Sequence, residues 1–332
     1  MGDPLVSLVV PVHDGEAHLP RLFAMLGEQL DQELRRVVEV VLVDDASTDR
    51  SPALIARFGG DHAEWVQSIN LDQNSGVGVA RRTALEVARG TFLMWLDVDD
   101  ELHEGALARV VEAARASDGE TILVFDFRYR LADGSTRPGR GMEAASTDGF
   151  AAAAGQLLRR EVSPYFWNKV VPRRGLVPEH FATRRNGQDW LSMVSFLSVH
   201  PRLERVPYTL VDYVQQQGTL SRKTDLLDYT SIRDGLAGQM RTLLQEHSVW
   251  EECRDDFERW YAPRISANSA LASARRDHRG PGDSLPAVRA NIFGLISLSS
   301  LLKAVRRGDR VAAAALLPLW VSPRLFRWIA RR

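Results

Sequence analysis

The sequence predicts an α/β fold, a mostly parallel sheet with helices on both faces, followed by a helical carboxyl-terminal region. Short, continuous, β-branched apolar runs recur through the amino-terminal part, and each passes through a polar cluster into apolar residues at helical spacing. Past residue 150 this alternation fades, and from about Asp225 the pattern is helical to the end. Alternating strands and helices imply parallel pairing through right-handed crossovers.

Leu5–Val12 is a β-branched apolar run ending at proline, the pattern of a strand buried on both faces. Leu19, Leu22, Phe23, Leu26 and Leu30 then form one helical stripe. Val37–Val43 reads as the second strand and stops at the acidic Asp44–Asp49. Trp65–Leu71 reads as the third strand, Val77–Arg89 as a helix, and Thr91–Leu96 as the fourth strand, ending in Asp97–Asp100. Helix Glu104–Ala116, strand Thr121–Phe127 and a turn at Ala132–Ser135 continue the series. Ligands of such sheets sit beyond the carboxyl ends of the strands. His13–Glu16, Asp44–Asp49 and Asp97–Asp100 all fall on that edge.

Composition narrows the function classes. The chain of 332 residues is 45% hydrophobic and 26% charged, as expected of a globular protein with a sizeable core. Its net charge of −1, from 42 basic and 43 acidic residues, provides no field for a polyanion, so no nucleic-acid partner is expected. Cys253 is the only cysteine, which excludes an intrachain disulfide and fits a reducing compartment. The amino end, MGDPLVSLVVPVHDGE, lacks the basic flank of a secretory signal. The apolar run Val311–Val321 is broken by Pro318 and falls short of the roughly 20 residues that span a bilayer. A cytoplasmic protein without membrane spans is expected.

Asp97-Val98-Asp99 places two carboxylates on one side of an extended segment, and hard oxygen donors in that arrangement suit magnesium or manganese. Taken alone, a D-x-D stretch is equally a solvated loop or a helix cap. Ser47 or Thr48 reads as the cap of the following helix, with Asp49 at its positive end. Capping leaves Asp44 and Asp45 unexplained, and their mutual repulsion would be relieved by a ligand donor such as a base imide. The glycine-bearing Asn74–Arg81 stretch opens a helix where phosphate could meet backbone N–H groups and Arg81; tight-loop glycines are the plainer reading of Gly76 and Gly78. Asp189 before Trp190 is, by itself, more often a cap or an ion-pair partner than a base. The eight histidines show no paired zinc spacing, and the chain has no Gly-x-Ser-x-Gly elbow.

Together, Val9–Glu16, Val43–Asp49, Asn74–Arg81, Leu96–Asp100, Trp167-Asn168-Lys169 and Gly187–Trp190 resemble, in order and spacing, the inverting glycosyltransferases of family 2 with the GT-A fold. The style is that of the bacterial cell-envelope polymer group, including wall teichoic acid glycosyltransferases. The resemblance implies a Rossmann-like GT-A catalytic domain over residues 1–225, with a nucleotide-sugar half to about 130 and an acceptor half beyond, before a helical region at 226–332. It implies that Pro11, Val12, His13, Glu16, Asp44, Asp45, Arg81, Asp97 and Asp99 bind the nucleotide-diphosphate sugar, expected to be a UDP-sugar. It further implies that Asp99 and Asp97 hold Mn2+ or Mg2+, and that Asp189 is the catalytic base. His13 stands where the family often has a tyrosine against the base. Gln188-Asp189 replaces the usual Glu-Asp pair. Gln215–Ser221 resembles the segment that closes on the diphosphate, with Arg222 or Lys223 as substitutes for its missing basic residue. The implied acceptor is a hydroxyl of an envelope polysaccharide, a teichoic-acid-like polymer or a lipid-linked glycan. A nucleotidyltransferase and a non-catalytic sugar-nucleotide-binding scaffold are the alternatives.

From Lys303 to Arg332, seven arginines interleave with leucines and tryptophans. Such a basic amphipathic segment can lie on an anionic membrane surface, or dock on the catalytic domain or on a partner subunit, and a homo-oligomer is compatible with it.

Overall fold

The structure, a computed structural model, describes residues 2–131, 133–184, 187–214, 235–263, 265 and 302. Two compact units divide the chain, residues 1–153 with 161–217, and residues 154–160 with 218–332.

The first unit is built on one ten-stranded sheet. Its strands are β1 (Val6–Val12), β2 (Val38–Asp44), β3 (Val66–Asn70), β4 (Phe92–Trp95), β5 (Glu101–Leu102), β6 (Ile122–Arg130), β7 (Thr136–Gly139), β8 (Ser146–Thr147), β9 (Lys169–Pro172) and β10 (Leu203–Val214). Along the sheet the order is β3-β2-β1-β4-β9-β6-β10-β5, with β7 on β6 and β8 on β10. Parallel pairing joins β3, β2, β1 and β4, and joins β6 to β10. β9 runs antiparallel between β4 and β6. β1 and β2 are buried along their whole length, as their unbroken apolar runs require.

Helices α1 (Leu19–Gln29), α2 (Ser51–Asp61), α3 (Val77–Val87), α4 (Ala106–Ala116) and α6 (Gln188–Val199) accompany the strands, while α5 (Phe150–Arg159) starts in this unit and belongs from Ala154 to the second. Leu19, Leu22 and Leu26 of α1 are buried in one core cluster with sheet residues such as Leu8, Val10 and Val40. α4 starts at Ala106 rather than Glu104 because Gly105 turns through the left-handed region (φ 72°) just before it.

Two local expectations are corrected. Ser47 and Thr48 do not cap α2, which begins at Ser51. Instead Ser47 Oγ accepts the Asp14 N–H (2.9 Å), and the Thr48 N–H donates to Asp14 Oδ1 (2.8 Å). Left-handed turns at Asp14 (φ 48°) and Ala46 (φ 52°) accompany this loop-to-loop pairing after β1 and β2. Asp97–Asp99 is not extended either. β4 ends at Trp95, and the chain turns back, the Asp100 N–H donating to the Asp97 carbonyl (3.0 Å), so that β5 can pair antiparallel with β10.

The described part of the second unit contains α7 (Leu236–Glu246), α8 (Trp250–Asp256) and a π-helical turn at Phe257–Tyr261. Trp250 packs edge-on against Phe257 at 5.2 Å, and Arg159 pairs with Asp256. No helix among the described residues is long and apolar enough to cross a membrane.

Candidate active site

The carboxyl ends of β1 and β2 form the first part of the site. Pro11 and Val12 lie in register with Val43 and Asp44, and the Asp45 N–H continues the ladder to the Val12 carbonyl (2.7 Å). The Asp45 carboxylate accepts the N–H groups of Ser75 (2.7 Å) and Gly76 (2.8 Å), so it holds the loop that opens α3. Asp44 is buried; its Oδ2 accepts the Ser47 N–H (3.1 Å), while Oδ1 has no hydrogen-bond partner. The unfilled acceptor at this edge therefore belongs to Asp44. His13 lies alongside, its Nδ1 3.0 Å from the Asp45 carbonyl and its Nε2 2.7 Å from Asn74 Nδ2. Glu16 is turned to the loop after β2, where it accepts the Arg50 N–H at 3.0 Å.

The second part is the turn after β4. Burial, and then the charge of Asp97, push the Asp99 carboxyl above its usual range. Asp100 is pushed up further, by burial and by both neighbouring carboxylates. Its Oδ1 accepts the Val214 N–H (3.2 Å), but Oδ2 is buried without a partner. Arg21 steadies the turn by donating to the Asp99 carbonyl oxygen (2.8 Å) and pairing with Glu101. Three carboxylates crowded into one turn, one with an orphaned oxygen, are short of positive charge, and hard oxygens fit a magnesium or manganese ion. No group of three His, Cys, Asp or Glu among the described residues is arranged to hold a metal alone.

Arg81 connects this turn to the third part. Projecting from α3, it is only 3% exposed; Nη1 donates to Asp189 Oδ1 (2.9 Å) and Nη2 to Asp97 Oδ1 (3.3 Å). Its guanidinium lies over the Phe166 ring, 4.6 Å from the centroid. Asp189 stands in the first turn of α6, behind the left-handed Gly187 (φ 74°). Burial raises its pKa; Arg81 opposes that shift and the Asp97 charge adds to it.

The structure thus joins Asp97, Arg81 and Asp189 by direct contact and puts Asp99 in the same turn as Asp97. Asp45 reaches the group through Gly76, the residue preceding α3. Glu16 makes its contacts in the neighbouring loops. Asp100, Arg21, Phe166 and the buried Lys169 have environments that sequence reading missed. Asp100 and Lys169 were visible only as members of their motifs, and no sequence signal marked Arg21 or Phe166. Gln215–Ser221, Arg222, Lys223 and the segment 303–332 lie outside the described residues.

Comparison with known proteins follows the same lines. The model of glycosyl transferase family 2 matches residues 7–189, more than half of the chain. The succinoglycan biosynthesis protein ExoO of Rhizobium meliloti is 32% identical over 193 residues, covering 56% of this chain and 54% of its own. An undecaprenyl-phosphate 4-deoxy-4-formamido-L-arabinose transferase of Pseudomonas aeruginosa is 36% identical over 119 residues, 36% of this chain and 34% of its own. The chain therefore spans about half the length of the first relative and about a third of the second. Among solved structures, S. aureus TarS 1–349 in complex with UDP-GlcNAc has a TM-score of 0.64 at 16% identity, covering 98% of this chain and 90% of that one. GalNAc-T7 with UDP, GalNAc and Mn2+ has a TM-score of 0.51 at 16% identity, covering 92% of this chain and 57% of that one. At these identities the likeness is one of fold, and it agrees with the sheet described above. The matched residues carry β1 through Asp189, and on that ground the chain belongs to glycosyl transferase family 2.

Proposed function

We propose that the chain is an inverting, metal-dependent glycosyltransferase that moves a sugar from a nucleotide-diphosphate donor, a UDP-sugar, to an acceptor hydroxyl. The observation that carries this reading is the Asp97–Arg81–Asp189 chain of contacts, which unites the acidic turn and the candidate base at the carboxyl edge of the sheet. Pro11, Val12, His13, Asp44 and Asp45 would receive the base, with the buried free oxygen of Asp44 as an acceptor for its N–H. Asp99 and Asp97 would hold Mn2+ or Mg2+, with Asp100 behind them. When bound, the cation supplies charge neutralisation at the leaving diphosphate.

Asp189 removes the proton of the acceptor hydroxyl as its oxygen attacks the anomeric carbon and the bond to the diphosphate breaks. One displacement inverts that centre. A carboxyl raised by burial is better matched to this task than a solvated one, because a base works best with a pKa nearer the working pH. Arg81 orients it. Arg81 gives one N–H from each η-nitrogen to these carboxylates, and its Nε–H has no hydrogen-bond partner, so donors remain for the diphosphate.

The names of these two relatives support an acceptor in the envelope-polymer class, a polysaccharide or a lipid-linked glycan, and a teichoic-acid-like polymer belongs to the same class. We place residues 1–225 as the catalytic domain of a cytoplasmic enzyme; docking of 303–332 and its contact with an anionic membrane surface are both compatible with its basic, apolar sequence. Screening nucleotide sugars for metal-dependent hydrolysis by the full chain tests the reading. Asp189→Asn is expected to lower turnover roughly 10²- to 10⁴-fold while calorimetry shows nucleotide affinity retained. Normal turnover by that variant would remove Asp189 from the mechanism. Release of inorganic diphosphate in place of nucleoside diphosphate would make the protein a nucleotidyltransferase.

A further inference from the structure

We propose that Lys169 is a positioning residue of this site: its buried ammonium ties down the 163–168 segment that holds Phe166 beneath Arg81, and so fixes where the Asp189 carboxylate stands. The proposal rests on the reading of Asp189 as the base.

Lys169 opens β9 and is completely buried, a setting in which a charge needs full compensation. Its Nζ donates to the carbonyls of Ser163 (2.6 Å) and Tyr165 (2.8 Å), to Asn168 Oδ1 (2.9 Å) and to Ser163 Oγ (3.0 Å). The hydrogens of this cage point elsewhere. Ser163 Oγ donates to Asn168 Oδ1 (3.0 Å), and Asn168 Nδ2 donates to the Phe125 carbonyl (2.7 Å). Four acceptors therefore surround Nζ. Three ammonium protons suit them, whereas the lone pair of a neutral amine would face oxygen lone pairs.

The same contacts bracket Phe166. The carbonyl of Tyr165 binds Nζ, and the carbonyl of Phe166 accepts the Lys169 N–H (2.9 Å). The Phe166 ring is 1% exposed and packs against Trp95 (5.2 Å) and Phe196 (5.3 Å), leaving its face to Arg81 at 4.6 Å. Arg81 in turn holds Asp189 at 2.9 Å. The charges acting on Asp189 are those of Arg81, Asp97 and Lys169. For Lys169, burial pushes the pKa down to about 7 and the charge of Asp189 pulls it back up. Lysine and aspartate thus support each other's charged forms, beyond any packing role of the side chain.

Lys169→Met in the full chain separates positioning from mere support. Selective carbon-13 labelling of aspartate, with Asp189→Asn to assign the resonance, reads the Asp189 carboxyl directly. The expected result is a carboxyl that titrates at higher pH in Lys169→Met. With it, kcat for donor hydrolysis should fall roughly 10- to 100-fold, donor KM should be nearly constant, and the acid limb of kcat should move the same way. An unmoved carboxyl in a folded Lys169→Met protein overturns the proposal. Should that variant fail to fold, Phe166→Leu keeps the cage and removes the ring beneath Arg81. It is expected to lower kcat and raise the Asp189 titration, and no change in either overturns the proposal equally. Failure of the glycosyltransfer reading would show separately, as absence of turnover by the unmodified chain with every nucleotide sugar, while the carboxyl titration still reports on Lys169.

Discussion

Several buried carboxylates among the described residues are shifted, in opposite directions. Asp99, Asp100 and Asp189 are pushed up, mainly by burial. Asp212 is opposed by burial too, but Arg128 and Arg130 hold it below its usual range. The raised ones cost stability wherever they ionise. Asp100, raised well above its ordinary value, favours the fold fully only below the unfolded carboxyl pKa of about 3.9, and that contribution is lost as pH rises through its folded pKa. Asp100→Asn is therefore expected to melt higher than the parent at neutral pH in the absence of metal, with the difference shrinking toward about pH 4. The same variant should bind UDP less tightly in the presence of manganese, a trade of function for stability. A melting scan in EDTA at several pH values checks the first expectation; a lower neutral-pH midpoint for the variant would refute it.

Elements are fastened to one another by a few polar residues and by close backbone approach. Glu39, on β2 between β1 and β3, binds Ser7 Oγ of β1 (2.6 Å), Gln67 Nε2 of β3 (2.8 Å), and the Arg89 N–H (2.6 Å) after α3. Burial opposes its charge, but the Ser7 hydroxyl and Arg89 outweigh that and hold its pKa below the usual value. Its stabilisation is present above the unfolded pKa of about 4.3 and lost as pH falls through the folded one. Glu39→Ala leaves the buried Ser7 hydroxyl and the Arg89 N–H without their acceptor, while the exposed Arg89 guanidinium returns to water, and is expected to cost about 1–3 kcal/mol in urea unfolding at neutral pH. That deficit should narrow in acid. Gly78 shows the second device. A Cβ there would stand 2.3 Å from the Ala182 carbonyl oxygen and 2.9 Å from Thr183 Cα, so α3 lies directly on the backbone leading to Asp189. Gly78→Ala is expected to cost roughly 1–3 kcal/mol and to lower turnover more than nucleotide binding, because the displaced segment carries the base. Equal turnover in parent and variant would show that this packing does not reach Asp189.

For the whole molecule, ligand and fold are linked. A nucleotide bound only by the folded chain at about 100 times its Kd adds about 2.7 kcal/mol, read as a rise in melting temperature. UDP with manganese is expected to give that rise, and EDTA or Asp99→Ala to remove most of it. An equal rise with UDP alone would argue that the acidic turn needs no cation. Much of this architecture was legible beforehand. The expected strands Leu5–Val12, Val37–Val43 and Trp65–Leu71 lie within a residue of the observed ones at each end, because an unbroken apolar run is a local signal of a strand covered on both faces. The clusters at their ends were legible for the same reason.

Local pattern by itself determined β1–β4 and β6, the helices between them and the edge on which the acidic groups collect, since each depends on residues a few positions apart; β5 and β7–β10 were not marked by it. It did not determine what those groups touch. Asp14 meets Thr48 across 34 positions and Arg81 meets Asp189 across 108, so the staple between loops and the ion pair at the base exist only once the chain is folded. The turn at Asp97, the orphaned oxygens of Asp44 and Asp100 and the cage around Lys169 were likewise decided by tertiary structure. Burial and charge pairing are properties of the space a side chain ends in, and no periodicity along the chain encodes that space.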